Sequence, residues 1–292
     1  MTVSMISFKE QISVEPIGKD CYRSVVPPIR MGDLADWAYG GNTLAIAVSA
    51  AYLTVAVGDH LYSISGHFVR PASQSNKLIC RVERVRDSRM FKTRHLRVLQ
   101  SEGDSEQLCL IATADFHIDE PDDMVNYSAY PQVEVPCSPP EETEVEKTQE
   151  PGLYKNLDKF IEVRPHSAGK SGKQVPDLVS ADRFRIHGPL YTEAEQITAL
   201  AFYMDRGLAY IPANHSGYSL FQASACATLD FALRILTHGI DLRNWHISER
   251  QTCGAGNARA LSEGRVFDAK GHLLASMTQK TILRPKKGTS KI

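Results

Sequence analysis

The sequence has no cysteine pair at CxxC spacing and no histidine cluster at ligand spacing, which argues against a structural zinc. Its six cysteines, Cys21, Cys80, Cys109, Cys137, Cys226 and Cys253, are widely scattered. That pattern fits a reduced compartment better than a disulfide framework. Net charge is nearly absent, −1 over 292 residues, so nothing recommends a nucleic-acid surface, and an anionic ligand has to be held by local basic groups. There is no GxSxG strand–turn–helix elbow, and the cysteines have no evident histidine partner, so neither serine nor cysteine acyl chemistry is expected. No basic region followed by an apolar run opens the chain, so no secretory signal is expected. The longest apolar run, residues 44–57 (LAIAVSAAYLTVAV), contains Ser49 and Thr54 and is too short to span a bilayer. It suits a buried core helix. No metal or organic cofactor is expected.

What is present is a globular composition, with 42% hydrophobic and 23% charged residues, and length enough for two domains. The second half also repeats the first. Arg97 to Gly103 reads RVLQSEG, and Arg265 to Gly271 reads RVFDAKG. Apolar strands follow each copy, LCLIATADF from Leu108 and LLASMTQKT from Leu273. Both are a strand, a glycine-containing turn and a second strand, at a separation too long for a solenoid. Two fused copies of one domain are expected, which leaves one copy free to lose chemistry that the other keeps.

Each copy reads as a helix plus antiparallel strands, the helix packing on one face of the sheet. After a turn-rich opening of about thirty residues come Tyr39-Gly40-Gly41-Asn42 and the apolar helix, then strands at 61–69, 78–86, 92–100 and 108–116. The expected division is an N-terminal unit 1–118, an acidic, proline-rich linker 119–154 and a C-terminal unit 155–292. The linker composition reads as flexible and solvated. The second unit opens with FIEVRP at 160–165. The GKSGK loop at 169–173 lacks the first glycine of a phosphate-binding loop and reads as surface.

The second helix is marked by a capping box, Thr192 with Glu195, and by an apolar stripe of Ile197, Leu200, Ala201, Met204 and Leu208. Asp205, four residues after Ala201, falls at the border of that stripe. On the strand at 225–233, alternation groups Cys226, Thr228 and Asp230 on one face and Ala227, Leu229 and Phe231 on the other. On the last strand Gln279 alternates with Leu273, Ala275 and Met277, an amide on an apolar face. A buried amide needs partners, and an aspartate and a threonine from neighbouring elements would supply them.

These residues resemble the acyl-CoA thioesterase II family over nearly the whole chain except the linker. YGGNTLAIAV at Tyr39, HFVRP at His67 and RDSRMFKTRHLRVLQ at Arg86 are similar to segments of the family's first half. Asp205 matches its acidic position after an apolar helix, Ala227-Thr228-Leu229-Asp230 its A-T-[IL]-D strand, and Ala275 to Gln279 its A-S-x-x-Q sequence. The resemblance implies an α+β double hot-dog fold, two tandem antiparallel sheets each wrapped around a central helix. It also implies hydrolysis of an acyl-CoA, with catalytic Asp205, Thr228 and Gln279. One departure follows Asp230: Phe231 stands where the family usually continues with His, and no Phe-His-Pro ending remains. The strand and the trio survive this, but the acyl-binding wall differs in shape.

Thioester hydrolysis needs an activated water and a carbonyl oxygen held as it gains charge. A carboxylate can take the proton while a hydroxyl and an amide hold the water. Hydration of an enoyl-thioester is a rival reading; its family pattern uses a helix-associated His, and Tyr39 to Ala56 contains none. A non-catalytic binding protein is a second rival. Homo-oligomerisation is implied only by the resemblance. The chain ends Ser290-Lys291-Ile292, similar to the S-K-L tripeptide read by the peroxisomal import receptor, so a peroxisomal location is expected, and a cytoplasmic one otherwise.

Overall fold

A computed structural model describes residues 6–32, 36–103, 105–135, 140, 152–166 and 174–286. The GKSGK loop, Cys137 and the C-terminal tripeptide lie outside the described residues. The first half runs α1 (Phe8–Ile12), β1 (Val14–Gly18), β2 (Cys21–Ser24), α2 (Gly40–Tyr52), β3 (His60–Phe68), β4 (Leu78–Asp87), β5 (Phe91–Glu102) and β6 (Ser105–His117). The second half contains β7 (Ile161–His166), β8 (Ser180–Ile186), α3 (Glu193–Met204), β9 (Ala223–Ile235), β10 (His246–Gly256), β11 (Arg259–Phe267) and β12 (Leu273–Pro285). From β1 to β6 and from β7 to β12 the order is the same, two strands, a helix and four strands. The RVLQSEG and RVFDAKG repeats fall in corresponding hairpins, β5–β6 and β11–β12.

The expectation of two separate sheets is corrected. The twelve strands form one sheet in the order β1-β2-β4-β5-β6-β3-β9-β12-β11-β10-β8-β7, which reads the same from either end when the halves are exchanged. The seam is the antiparallel pair β3–β9, with Ser63 opposite Arg234 and His67 opposite Asp230. Paired there, neither half leaves this strand as an open edge.

The two long helices are buried on all sides, because each lies between the sheet and the other helix. From Gly41 to Ala51 nearly every residue of α2 is inaccessible, and so is α3 from Gln196 to Met204. A helix apolar all round is stable only in such a place. Burying Leu44, Ile46 and Val48 completely stabilises the fold by roughly 1.5–3 kcal/mol each. The helix occupies Gly40–Tyr52 rather than the 44–57 run: it starts earlier, where an outside carboxylate caps it, and stops before Val57, which is fully exposed. The Thr192 capping box of α3 is present as expected.

The segments flanking the two units hold more structure than their composition suggests. The opening is not merely turns: Ser7 and Glu10 make a reciprocal capping box that starts α1, and β1–β2 follows as a hairpin. The described part of the acidic segment, 119–135, is mostly exposed, but it is anchored at its end. Val133 is buried with Val179, Ala181, Ile247 and Phe267, its N–H donates to Glu249 Oε1 at 2.8 Å, and Ser128 Oγ accepts from Leu273 N–H at 2.8 Å. The apolar alternation of Val133 and Val135 gives this stretch a face to bury, which its charge and proline content concealed.

Candidate active site

Asp205 is the C-cap of α3, and that end of the helix is fixed by a buried ionic cluster. Tyr203 Oη donates to Asp182 Oδ1 at 2.7 Å, Arg250 donates to Asp182 Oδ2, and the Arg206 guanidinium stands 3.6 Å from the same carboxylate. Arg206 also stacks over the Tyr154 ring at 3.8 Å. Gly207, at φ +77°, then lets the chain leave the helix in a left-handed turn. Asp205 is held by its neighbours on both sides and is only 9% exposed.

The first half supplies what meets that carboxylate. Tyr39, the N-cap of α2, makes no side-chain cap; the Gly41 N–H donates instead to Asp205. Asp205 thus caps the N-terminus of a helix in the other half, where the helix dipole favours negative charge. The approach is close enough to require glycine. A methyl at Gly40 would lie 2.8 Å from Asp205 Oδ2, and one at Gly41 would lie 2.4 Å from the Phe202 carbonyl oxygen. Tyr39 Oη donates to that same carbonyl at 2.7 Å and ties the two helices together.

The strands bring the other two side chains to the same point. Gln279 Nε2 donates to Asp205 Oδ1 at 2.6 Å, and Thr228 Oγ donates to Gln279 Oε1 at 3.1 Å. Thr228 is also within hydrogen-bonding reach of the Asp205 carboxylate. All three residues expected from the sequence are therefore joined in one buried network. The expected grouping on β9 is corrected, however. The register opposite β12 shifts between Asp230, which faces Lys280, and Thr228, which faces Thr281. Leu229 is the extra residue of a β-bulge, so Thr228 and Phe231 share the interior face while Asp230 turns to the other. Simple alternation across 225–233 fails at that bulge.

Burial raises the Asp205 pKa from its ordinary value to about 6, against the opposing pull of the hydrogen bonds from Gln279, Gly41 and Thr228. Beside the network, Phe231 pairs with Gln279 across β9–β12 and packs on Phe68 with ring centroids 5.5 Å apart. Phe68 belongs to the HFVRP segment and also approaches Gly40. An aromatic pair therefore walls the site where the departure after Asp230 occurs. Sequence reasoning missed Gly41 as a donor to Asp205 and Gly40 as the point of close approach; the available signal was two adjacent glycines opening an otherwise strongly apolar helix.

What the arrangement offers is a carboxylate with a raised pKa, held by an amide, a hydroxyl and a helix N-terminus, at the junction of two similar halves. The chain as a whole is similar to known proteins. The family model described as acyl-CoA thioesterase N-terminal domain matches residues 27–117, and that described as acyl-CoA thioesterase C-terminal domain matches residues 136–283. Acyl-CoA thioesterase 2 of Haemophilus influenzae is 24% identical over 258 residues, covering 84% of this chain and 87% of the relative. Among solved structures, acyl-CoA thioesterase II TesB2 from Mycobacterium marinum superposes with a TM-score of 0.74 at 21% identity, covering 97% of this chain and 99% of that one. A conserved protein with a hot-dog fold from Alicyclobacillus acidocaldarius gives 0.71 at 18% identity, covering 97% and 99%. With both of its halves matched in order by the family's own two domains, this chain belongs to the acyl-CoA thioesterase family, a family of thioester hydrolases.

Proposed function

We propose that the protein hydrolyses an acyl-CoA to the free acid and CoA, with Asp205 taking a proton from the attacking water and Thr228 and Gln279 holding that water. The observation that carries this reading is the buried Asp205 carboxylate, raised to about 6 and bonded to Gln279 and to the start of α2. A pKa near 6 leaves the group ionised at neutral pH yet more basic than a surface aspartate, as a general base requires. The first turn of α2, whose Gly41 N–H already meets Asp205, is where backbone donors can stabilise the charge developing on the thioester oxygen. A thiolate leaves without strong acid assistance, so no second titrating group is needed.

The reading includes a double hot-dog, with units 1–118 and 155–292 each wrapping its part of the sheet around α2 or α3 and with 119–154 between them. The second unit carries the three side chains and the first contributes the helix N-terminus. Self-association of this double unit belongs to the proposal and is measured by sedimentation. A peroxisomal address at Ser290-Lys291-Ile292, read by the import receptor, also belongs to it. A fluorescent protein carrying the last ten or so residues should become punctate and lose that pattern when Ile292 is deleted; diffuse signal from both would leave the protein cytoplasmic.

The deciding experiment is release of free thiol from a panel of acyl-CoAs of differing chain length and branching. Asp205→Asn should keep the fold and lower turnover by about 10²–10⁴-fold. Wild-type-like turnover by that variant would remove Asp205 from the reaction.

A further inference from the structure

At the far end of α3 from Asp205, about 18 Å along the helix from its first residue, the topology collects a second group of polar side chains. β3 is flanked by β6 and β9, and His60 at its start is opposite His117 at the end of β6. Asp119 follows two residues later. On the other flank Ser63 is opposite Arg234, so antiparallel pairing carries His60 to the level of the turn that holds His238. His60, Asp119 and His238 thus meet where the two halves are joined, each from a different stretch of chain.

We propose that these three residues bind a divalent transition-metal ion, which clamps the two halves at the end of the β3–β9 seam. One donor atom from each residue lies within 4.8 Å of the others. His238 Nε2 is 3.0 Å and His60 Nε2 is 3.5 Å from Asp119 Oδ1. Donors on a tetrahedral zinc, with bonds of about 2.0–2.2 Å, stand about 3.4 Å apart, a value between those two separations. The imidazole rings stack at 4.0 Å, and His238, with half its side chain exposed, turns to close the remaining gap. Water completes the fourth position.

The partner of His60 is the second observation. Glu193, the first residue of α3, places Oε2 2.7 Å from His60 Nδ1, and its Oε1 accepts from Tyr52 Oη at 3.2 Å. A carboxylate that accepts a hydrogen bond from the Nδ1–H of a histidine leaves the Nε2 lone pair free and aims it, as in carboxylate–histidine–zinc arrangements. Two imidazoles and one carboxylate suit zinc, cobalt or nickel over magnesium or calcium. Asp119 and Glu193 bring negative charge to the site. His117 stands outside this group; its Nε2 lies 3.0 Å from Glu120 Oε1.

The test uses the tag-free full chain, stripped with a chelator and titrated with Zn²⁺ by calorimetry and with Co²⁺ by visible absorption. One ion per chain should bind, raise the melting temperature and slow hydrogen exchange at the start of β3 and the end of β9. His238→Ala and Asp119→Asn, at exposed positions, should abolish the one-to-one uptake while leaving basal thioester hydrolysis unchanged. Glu193→Gln should weaken affinity about 10–100-fold. Absence of saturable one-to-one uptake, or equal uptake by His238→Ala, would overturn the assignment. The readout is binding, so the result stands apart from whether Asp205 is the catalytic base.

Discussion

Replacing Asp205 with Asn should make the protein more stable at neutral pH while removing its activity. In the folded chain burial raises the Asp205 pKa from 3.8 to about 6, so between those values the folded state holds a proton that the unfolded chain has released. The sign follows from that: the contribution of Asp205 to stability is fully present below pH 3.8 and is lost as pH rises through about 6. A shift of about two units corresponds to about 3 kcal/mol by pH 8 and about half of that at pH 5. Asn carries no charge and escapes this loss. It also preserves the network, because its Oδ1 can accept the Gly41 N–H while its amide donates to Gln279 Oε1. The Gln279 amide, turned over, then donates to Thr228 Oγ. At about 2 °C per kcal/mol for a chain of this size, the Asn variant should melt about 6 °C above the wild type at pH 8. Urea unfolding of both proteins at pH 5, 6.5 and 8 measures the gap directly. A variant no more stable than wild type at pH 8, or a gap that does not shrink toward pH 5, would refute the reasoning about a strained, buried carboxylate.

Other expectations come from the same contacts. The pH profile of kcat/KM on a preferred acyl-CoA should fall about tenfold per unit below an apparent pKa near 6 and be flat above about pH 7; a profile unchanged down to pH 5 would remove Asp205 as the base. Gly40→Ala pushes a methyl against Asp205 Oδ2, 2.8 Å away, and should lower kcat by up to about 100-fold with the melting temperature nearly unchanged. Gly41→Ala instead meets the Phe202 carbonyl oxygen at 2.4 Å and should destabilise the helix pair by about 1–3 kcal/mol, seen in denaturant midpoints. Val133→Asp buries a charge under the second half's sheet and should release residues 128–135, detected as faster proteolysis there than in the wild type.

How far the sequence could be read depends on whether each feature is local. The capping box at Thr192, the apolar helix after Tyr39 and the repeated hairpins are short-range patterns, and they appear in the structure within a few residues of where the sequence puts them. Gln279 was reachable as an amide on an apolar face and Asp205 as an acid at the border of an apolar stripe, while Thr228 was singled out as a partner for that amide and by the family resemblance. Their joining is not local: they lie as much as 74 positions apart, and Gly41 approaches from the other half. No period in the sequence reports that the first half caps its helix with an acid from the second. The bulge at Leu229 is hidden for a related reason, since it is defined only by the strand opposite, and alternation within β9 placed Thr228 with Asp230. The one continuous sheet was concealed in the same way, because β3 and β9 each read as an ordinary strand and only their pairing joins the halves. Duplication explains why this matters for chemistry. At the level where α3 presents Asp205 to the N-terminus of α2, the equivalent end of α2 has Leu53 as its C-cap, with no carboxylate to return the contact. The pseudo-symmetry of the sheet is therefore broken at the proposed active site, where one helix supplies the acid and the other the dipole that holds it.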